Sequence, residues 1–315
     1  MEKKPYELCY GVSDPNPLVI ASRNNSVYTE NNIQVMQDKD LEQIAKSFVG
    51  GFIKRIQSGR PAFVIKTVVS KNNYYASANN KTVRLSNAAS DHLLQMLRAK
   101  VDGVVVGPKT IAVDNPALDF RKLENNNLQD ILYPGEDLFL RALFTYAGDL
   151  AINDFHNQNH KDYQPYRIFI IGEEALVNEK FLQKQMELNE KYGNSRMVFI
   201  LIGNRDNSHY SSDFLHRLES LSENRVYYSK NELAQDILDI CGSIGMNKIL
   251  VEGGNLLYQP FRRLMTEYDM LLKINTNITI DKGIEPDLDL RNTGFRESFS
   301  VNDDTWEIYK SCLPV

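Results

Sequence analysis

The segment GVVVGPKT at residues 103–110 decides the class of fold. A run of three valines between two glycines is typical of a fully buried strand in a parallel sheet. The residues before it, from Asn87 to Lys100, carry apolar side chains at helical spacing and predict a helix. A helix that leads directly into a buried strand indicates an α/β protein.

The same alternation of strand and helix continues along the chain. Apolar runs predict further strands at Ala62–Ser70, Arg167–Gly172, Met197–Gly203, Arg225–Tyr228 and Lys248–Gly254. Helical spacing predicts helices over 40–57, 175–191, 211–222, 231–244 and 256–268. We therefore predict an α/β fold with a mostly parallel central sheet, helices on both faces, and antiparallel C-terminal strands over 269–280 and 295–310.

The helix predicted over 40–57 carries an apolar stripe. Leu41, Ile44, Phe48 and Phe52 recur at helical spacing, and the aspartate at the first position is a candidate N-cap. We expect these four side chains to be buried, because large apolar groups are more stable away from water. The pattern leaves open whether the core or a partner chain covers them.

Composition and charge exclude several classes of function. The chain has 315 residues, is 42% hydrophobic and carries a formal charge of -5, which favours no general affinity for nucleic acid or anionic membranes. Without an apolar span or a signal-peptide core, we expect a cytoplasmic protein. Three widely separated cysteines, Cys9, Cys241 and Cys312, indicate reduced thiols.

Two charged residues stand in apolar surroundings where a solvated side chain is out of place. Lys66 lies inside a predicted strand, so it belongs either to a sheet edge or to a polar cavity. Glu252 lies between a buried strand and two glycines, where a carboxylate is costly unless it has a partner, so it is a candidate functional residue. Arg98, at the end of a predicted helix, has an equally good interpretation as a charge that complements the helix dipole.

Glycines follow two of the predicted strands, in VVVGPKT (104–110) and ILVEGGNLL (249–257). Ligands bind at the carboxyl ends of parallel strands, where a glycine lets a cofactor approach the backbone and a helix N-terminus can bind phosphate. Many such glycines serve only the turn. The dinucleotide fingerprint GxGxxG is absent. His156 and His160 have metal-ligand spacing, but their polar neighbours favour a surface loop, so we predict no metal site.

Three motifs together resemble the reductase domain of the riboflavin-biosynthesis deaminase/reductase family, which has a dihydrofolate-reductase-like fold. They are RPAFVIKTVVS (60–70), LRAKVDGVVVGPKTIAVDNPALDFR (97–121) and LVEGGNLLYQPF (250–261), with Asp269 following where the family has an Asp-Glu pair. The middle motif is the long and specific one. The resemblance covers about residues 60–121 and 165–310.

The N-terminal stretch YGVSDPNPLVIASRNN resembles the last segment of the family's deaminase domain. We therefore predict that residues 1–59 are a remnant of that domain and that residues 60–315 form a reductase-like domain with an insertion at about 122–163. Neither the His-Ala-Glu nor the Pro-Cys-x-x-Cys motif of the zinc site occurs, so we expect no deaminase activity.

The resemblance also implies the site residues. Lys66 and Glu252 match the positions expected to take part in catalysis. The substrate-binding positions are Thr82, Arg98, Leu118, Arg121 and Glu252, with the two arginines expected to hold a ribose phosphate. The NADPH-binding positions are Val68, Arg84, Ser86, Gly107, Thr110, Asp114, Gly253, Gly254 and Asn255.

The chain departs from the family at three places. Ser70-Lys71-Asn72-Asn73 replaces a Ser-Leu-Asp-Gly turn, so the charge of its aspartate and the flexibility of its glycine are both lost. Arg84 stands where many members have tryptophan. Pro108 and Lys109 replace two glycines, and Pro108 removes one donor N–H.

The predicted function is NADPH-dependent reduction of a phosphoribosylamino-pyrimidine, from ribosyl to ribityl, in riboflavin biosynthesis. The alternatives are a catalytically inactive ligand-binding or scaffolding relative, and a reductase of a different heterocycle. The expected partners are a small phosphorylated substrate, a second copy in a homodimer, and a separate deaminase.

Overall fold

The computed structural model describes residues 6–10, 12–13, 15, 28, 30–79, 82–121, 140–141, 164–204, 209–230, 232–291 and 293–311. The strands are Tyr6–Tyr10 (β1), Ile33–Gln37 (β2), Ala62–Val69 (β3), Ala76–Ser77 (β4), Gly103–Val106 (β5), Tyr166–Ile171 (β6), Met197–Ile202 (β7), Val226–Ser229 (β8), Lys248–Val251 (β9), Met270–Asn275 (β10), Gly283–Ile284 (β11), Thr293–Val301 (β12) and Asp304–Ser311 (β13).

The helices alternate with these strands as predicted. They are Lys39–Ser58 (α1), Ala88–Ala99 (α2), Pro108–Asp114 (α3), Glu179–Tyr192 (α4), Ser212–Ser222 (α5), Leu233–Ile244 (α6) and Asn255–Arg263 (α7). The helix predicted to reach residue 268 ends at Arg263, because the chain turns so that the Thr266 N–H and hydroxyl donate to Asp269 at 2.7 and 2.8 Å. The strand that follows ends at Asn275, short of the predicted residue 280.

The central sheet has nine strands in the order β12-β13-β10-β3-β9-β5-β6-β7-β8. The seven strands from β10 to β8 pair in parallel, and β13 and β12 add antiparallel strands at one edge. The predicted α/β fold class is therefore confirmed. Two small sheets lie apart from it, a parallel pair β1-β2 and an antiparallel pair β4-β11.

Amphipathic helices cover both faces of this sheet with their apolar sides. On one face, α2, α4 and α5 contribute the buried side chains Leu93, Leu97, Phe181, Phe214 and Leu218. On the other face, α6 and α7 contribute Ile237, Leu238, Cys241, Leu257 and Phe261. Burial on both faces explains why the central strands are continuous apolar runs rather than alternating ones.

The strand order reverses beside β9. The chain passes from β3 to β5 and outward to β8, then returns to insert β9 between β3 and β5. In an open parallel sheet such a reversal leaves a crevice outside the carboxyl ends of the strands, where ligands bind. The two motifs predicted to bind ligand end at this crevice.

Helix α1 is packed in a different rotation from the one predicted. Its N-cap is Asp38, whose carboxylate accepts from the N–H groups of residues 40 and 41 at 2.8 and 3.0 Å. The inner face carries Ile53 and Lys54, whereas Leu41, Phe48 and Phe52 are exposed. The core in the described part of the chain therefore does not cover these three, and their burial by a partner chain stays a prediction. The side chain of Ile44 lies outside the described part.

A buried ion pair sets this rotation. The Lys54 ammonium donates to both carboxylate oxygens of Asp269 at 2.8 and 2.7 Å and lies 4.6 Å from the centre of the Phe63 ring. Asp269 also accepts from the Phe63 N–H at 2.8 Å. Turning the apolar stripe inward would break these contacts and leave a buried carboxylate without its cation, which is costly.

Close backbone packing fixes α6 against the end of α1. A methyl group at Gly242 would collide with the carbonyl oxygen of Gly59. Gly242→Ala should therefore lower the free energy of unfolding by about 1–3 kcal/mol, because an overpacked site must shift the backbone. Urea unfolding measures this, with the exposed neighbour Ser243→Ala as control, which should change stability by less than about 0.5 kcal/mol. Equal stabilities of the two variants would contradict the packing.

The described helices include none that is both long and apolar enough to cross a membrane. The division into residues 1–59 and 60–315 stays a prediction.

Candidate active site

The predicted site residues come from three neighbouring strands. Lys66 and Val68 lie on β3, Glu252 follows β9, and Gly107 follows β5. Because β9 lies between β3 and β5, the ends of these strands bring the three segments together. Lys66 was predicted to lie either at a sheet edge or in a polar cavity. Because β3 is a central strand, the sheet edge is wrong, and the side chain lines the cavity.

A three-residue ion cluster forms the floor of the site. Arg98 donates from Nε and Nη2 to the two oxygens of Glu252 at 2.7 and 2.8 Å, in a bidentate pair. The Lys66 ammonium donates to Glu252 Oε2 at 3.3 Å. Side-chain exposures of 15% for Lys66, 14% for Arg98 and 7% for Glu252 place the cluster largely out of water. Arg98 is thus a site residue, and not only a helix-end charge.

The cluster keeps its carboxylate ionised. Burial alone would raise the pKa of Glu252, but the charges and hydrogen bonds of Arg98 and Lys66 lower it to about 2. Burial would lower the pKa of Arg98, and the Glu252 carboxylate raises it instead. With two cations and one anion, the cluster presents net positive charge to whatever enters the site.

The cluster opens into a cleft of about 620 Å³, a size typical of small-molecule sites. Ten of the predicted site residues line this cleft: Lys66, Val68, Thr82, Gly107, Thr110, Asp114, Glu252, Gly253, Gly254 and Asn255. The Thr82 hydroxyl donates to the Asp114 carboxylate at 2.9 Å and so ties the loop before α2 to the end of α3. The space beside Gly107 is open, since a methyl group there would meet no atom within 4 Å.

Asn255 supports a second part of the cleft lining. Its side chain donates to the Glu285 carbonyl at 3.0 Å and accepts from the Asp287 N–H at 2.7 Å. These bonds hold the segment after β11 beside α7. Asn255 therefore lines the cleft and also fixes its shape.

Two residues predicted to bind NADPH point elsewhere. The guanidinium of Arg84 donates to Asp91 Oδ2 at 2.9 and 2.6 Å, and the Ser86 hydroxyl donates to the other oxygen of the same carboxylate. Neither side chain lines the cleft. Asp91 lies one turn into α2, only seven residues after Arg84 and five after Ser86, so both side chains can reach it locally.

Three residues predicted to bind substrate lie behind or beside the cleft. Arg98 is covered by Glu252, and Leu118 is 1% exposed in the core with a left-handed backbone (φ 53°). Arg121 lies at the surface, with its Nε 3.2 Å from the carboxylate of buried Asp119. Arg98 donates to the backbone carbonyl of Asp119 at 3.3 Å, so Asp119 joins the two arginines.

The segment Ser70–Asn73, which departs from the family in sequence, forms a turn. Asn73 adopts the left-handed conformation (φ 63°), which asparagine tolerates better than most residues. The Asn72 side-chain oxygen accepts from the Ser70 hydroxyl at 2.8 Å, and its amide donates to the Ile280 carbonyl at 2.7 Å. The loss of the glycine therefore does not prevent a turn at this point.

Several cleft residues were missed from the sequence. Tyr75 packs edge-to-face on Tyr258 with ring centres 5.8 Å apart, and its hydroxyl lies against Gly254. Its position in an asparagine-rich loop gave no signal. Glu173 also lines the cleft, and the glycine that ends β6 just before it was the same signal used for the other strands.

Other sequence predictions fall outside the described part of the chain. These are most of the insertion at 122–163, the pair His156 and His160, and Cys312. Within the insertion only residues 140 and 141 are described, and Leu140 is fully buried in the core. At least this point of the insertion contacts the body of the protein.

Pro108 is the first residue of α3, where a missing N–H costs no helical hydrogen bond. The helix has seven residues, and phosphate binding at its N-terminus stays a prediction. The open space beside Gly107 is the feature that remains at this strand end.

Fold and cleft together define an α/β protein with a mostly parallel sheet and a cleft over a lysine–glutamate–arginine cluster. Two curated proteins are similar in sequence. The riboflavin biosynthesis protein RibD of Escherichia coli (strain K12) is 28% identical over 130 residues, which cover 40% of this chain and 34% of that protein. RibD of Synechocystis is 28% identical over 133 residues, covering 42% and 36%.

Solved structures match over more of the chain. Acinetobacter baumannii RibD superposes with a TM-score of 0.66 at 15% identity, covering 98% of this chain and 73% of that chain. A Thermotoga maritima deaminase/reductase has a TM-score of 0.64, also at 15% identity, and covers 98% and 72%. A pyrimidine reductase-like protein of Corynebacterium diphtheriae has a TM-score of 0.52 at 16% identity, covering 85% and 99%.

The two curated relatives confirm the resemblance predicted from the three motifs, to the reductase part of the riboflavin-biosynthesis deaminase/reductase family. The structural matches, at such low identities, show the fold. The chain spans about a third of the length of the curated relatives it matches. No protein-family profile matches it.

Proposed function

We propose that this chain is an NADPH-dependent reductase that converts the ribosyl group of 5-amino-6-(5-phosphoribosylamino)uracil, or a close analogue, to ribityl. The observation that carries the proposal is the Lys66–Glu252–Arg98 cluster at the floor of the cleft. Burying a charge costs free energy unless the charge has a partner. This cluster has two cations and one anion, so one positive charge is left in excess beside an open cavity, which is typical of a functional site. The names of the RibD relatives support the same reaction class.

The cleft residues fit a nicotinamide dinucleotide. Val68, Gly107, Thr110, Asp114 and the turn at residues 253–255 all line the cleft and would hold the dinucleotide. The open space beside Gly107 lets a ligand approach the backbone there. Reduction of the sugar needs a hydride, which the reduced nicotinamide ring supplies when it is bound.

Lys66 would position the sugar. Glu252 Oε2 holds the ammonium at 3.3 Å, which leaves the other N–H donors of the lysine free to reach a substrate oxygen. In that position it would orient the open-chain sugar imine and stabilise negative charge that develops at its oxygen atoms. The Glu252 carboxylate, with a pKa of about 2, would orient the two cations rather than donate a proton near neutral pH.

The substrate phosphate would be bound mainly by Arg121. Its side chain is 53% exposed, and its only described ion pair is with Asp119. Arg98 is already committed to Glu252, so it would contribute positive potential rather than a direct bond.

A NADPH titration followed by fluorescence tests the proposal. Wild type should bind NADPH, and Asp114→Ala should weaken binding about tenfold, since the variant loses the carboxylate that holds Thr82 at the cleft wall. The exposed Asp213→Ala, which also removes one negative charge, is the matched control and should bind like wild type. Addition of the ribosylamine phosphate should then cause loss of the absorbance of reduced nicotinamide.

Absence of NADPH binding in the wild type would contradict the reductase proposal. Binding without turnover of the ribosylamine phosphate would instead favour a non-catalytic ligand-binding relative, or a reductase of another heterocycle. The substituted residues 70–73 still form a turn, so the substitution alone is no argument for the non-catalytic alternative.

A further inference from the structure

Glu173 is a cleft residue that the proposed reaction does not use. It follows β6, the strand next to β5, and its side chain is exposed. Its carboxylate has no hydrogen bond or ion pair with any residue in the described part of the chain. The carboxylate of the neighbouring Glu174, in contrast, accepts from the N–H and the hydroxyl of Ser211 at 2.8 and 2.9 Å. One of these two carboxylates thus supports the start of α5, and the other is available to a ligand.

The strand order fixes the position of Glu173 in the cleft. Lys66 lies on β3, and β6 is three strands away, beyond β9 and β5. Neighbouring strands are about 4.8 Å apart, so the ends of β3 and β6 are separated by roughly 14 Å. A methyl group at Gly172 would lie 3.3 Å from the ring of Pro108, so the end of β6 lies directly beside the segment after β5. Glu173 is therefore at a part of the cleft far from Lys66, where the adenosine half of a dinucleotide would lie.

Two apolar side chains line the same part of the cleft. Leu176 comes three residues after Glu173, and Ile202 ends β7, the strand beside β6. Ile202 is 38% exposed although it is a large apolar residue. Ligand sites typically combine apolar lining with a few polar groups that fix the orientation of the ligand. Adenosine matches this combination, because it joins a flat base to a ribose with two adjacent hydroxyls.

We propose that Glu173 accepts hydrogen bonds from the hydroxyls of the adenosine ribose, and that the cleft therefore binds NADH at least as tightly as NADPH. The inference rests on the proposed reductase function and specifies its cofactor. A carboxylate accepts from a ribose hydroxyl, whereas it repels the 2′-phosphate that distinguishes NADPH. Sites that select NADPH commonly place an arginine at this phosphate, and the described lining residues include no arginine. Solvent screens the repulsion at the exposed Glu173, so NADPH still binds.

Lys109 is the residue whose charge opposes this preference. Apart from Lys66, it is the one cation among the described lining residues, and it is exposed on α3. The lysine ammonium is a strongly hydrated point charge on a flexible chain, so its attraction for one particular phosphate is weak and not directional. We therefore expect Lys109 to attract the phosphates of both dinucleotides, and Glu173 to set the difference between them.

Fluorescence titration of the full chain with NADH and with NADPH tests the inference. In the wild type, the dissociation constant for NADH should be no larger than that for NADPH. Glu173→Gln keeps the shape of the side chain and removes its charge, so it should shift the ratio of the two constants about tenfold in favour of NADPH. Glu190→Gln is the matched control: it removes the same charge at an exposed position of α4 that does not line the cleft, and it should leave the ratio unchanged.

The ratio of the two constants separates this inference from the proposed function. Tighter binding of NADPH than of NADH by the wild type, or an unchanged ratio in Glu173→Gln, would overturn the role of Glu173 and leave the reductase proposal in place. Lys109→Gln should weaken the binding of both dinucleotides alike. A loss confined to NADPH would show that the lysine selects the 2′-phosphate, which would also overturn the inference. Binding of neither dinucleotide to the wild type would contradict the reductase function and this inference together.

Discussion

Glu252→Gln should lower the free energy of unfolding by about 3 kcal/mol and reduce turnover at least about 100-fold. The carboxylate is 7% exposed and is the partner of both Arg98 and Lys66. Its loss leaves two largely buried cations without a counter-charge, and the amide that replaces it directs N–H groups at one of them. Urea unfolding and oxidation of NADPH measure the two effects separately.

The double variant Glu252→Gln/Arg98→Gln separates stability from function. It removes one unpaired cation along with the anion, so part of the lost stability should return while turnover stays low. Glu179→Gln, on an exposed ion pair with Arg217, is the matched control and should change stability by less than about 1 kcal/mol. A double variant that regains turnover would show that the cluster does not act on the substrate.

The pH dependence of the free energy of unfolding tests whether the Glu252 carboxylate is the source of the stability lost in Glu252→Gln. The pKa of Glu252 is about 2 in the folded protein, below its ordinary value of 4.5. A lowered pKa contributes stability that is fully present above 4.5 and is lost as the pH falls toward 2. The stability gap between wild type and Glu252→Gln should therefore narrow between pH 7 and pH 3. A constant gap would mean that the charge of Glu252 is not what stabilises the fold.

The fold class could be predicted because each central element carries its own signal. The valines of β5 and the apolar run of β7 are buried on both faces, and that environment selects continuous apolar sequence. The ends of the helices were predicted less accurately from turn residues than the strands were from their apolar runs. The end of α7 depends on a bond between Thr266 and Asp269 that no periodicity records.

The rotation of α1 could not be predicted from its own residues. Its apolar stripe favours burial of Phe48, yet the partner that decides the matter is Asp269, 215 residues from Lys54 in the chain. Local hydrophobic pattern describes which side chains prefer burial. It does not describe where a distant carboxylate requires a cation.

The candidate site was predictable where a charge stood in apolar sequence. Lys66 and Glu252 were conspicuous for that reason, and the structure brings them together. The pairing of Arg98 with Glu252 crosses 154 residues and has no local signal. Tyr75 had none either, since an aromatic residue in a polar loop has many ordinary explanations.

The second large effect is expected at the anchor of α1. Asp269→Ala should lower the free energy of unfolding by about 3–5 kcal/mol, because it leaves the Lys54 ammonium buried and unpaired. It also removes the acceptor for the N–H groups of Phe63 and Thr266. Thermal or urea unfolding gives the magnitude, and amide hydrogen exchange should show the largest increase in α1.

Lys54→Met shows how much of that loss belongs to the cation. Burial already lowers the pKa of Lys54, so its charge depends on the carboxylate, whereas Asp269 keeps three other donors when the lysine is removed. Lys54→Met should therefore be less destabilising than Asp269→Ala. The double variant should be no less stable than Asp269→Ala alone, since it no longer buries an unpaired ammonium. If Asp269→Ala unfolds within about 1 kcal/mol of wild type, α1 is held by its apolar contacts and not by this pair.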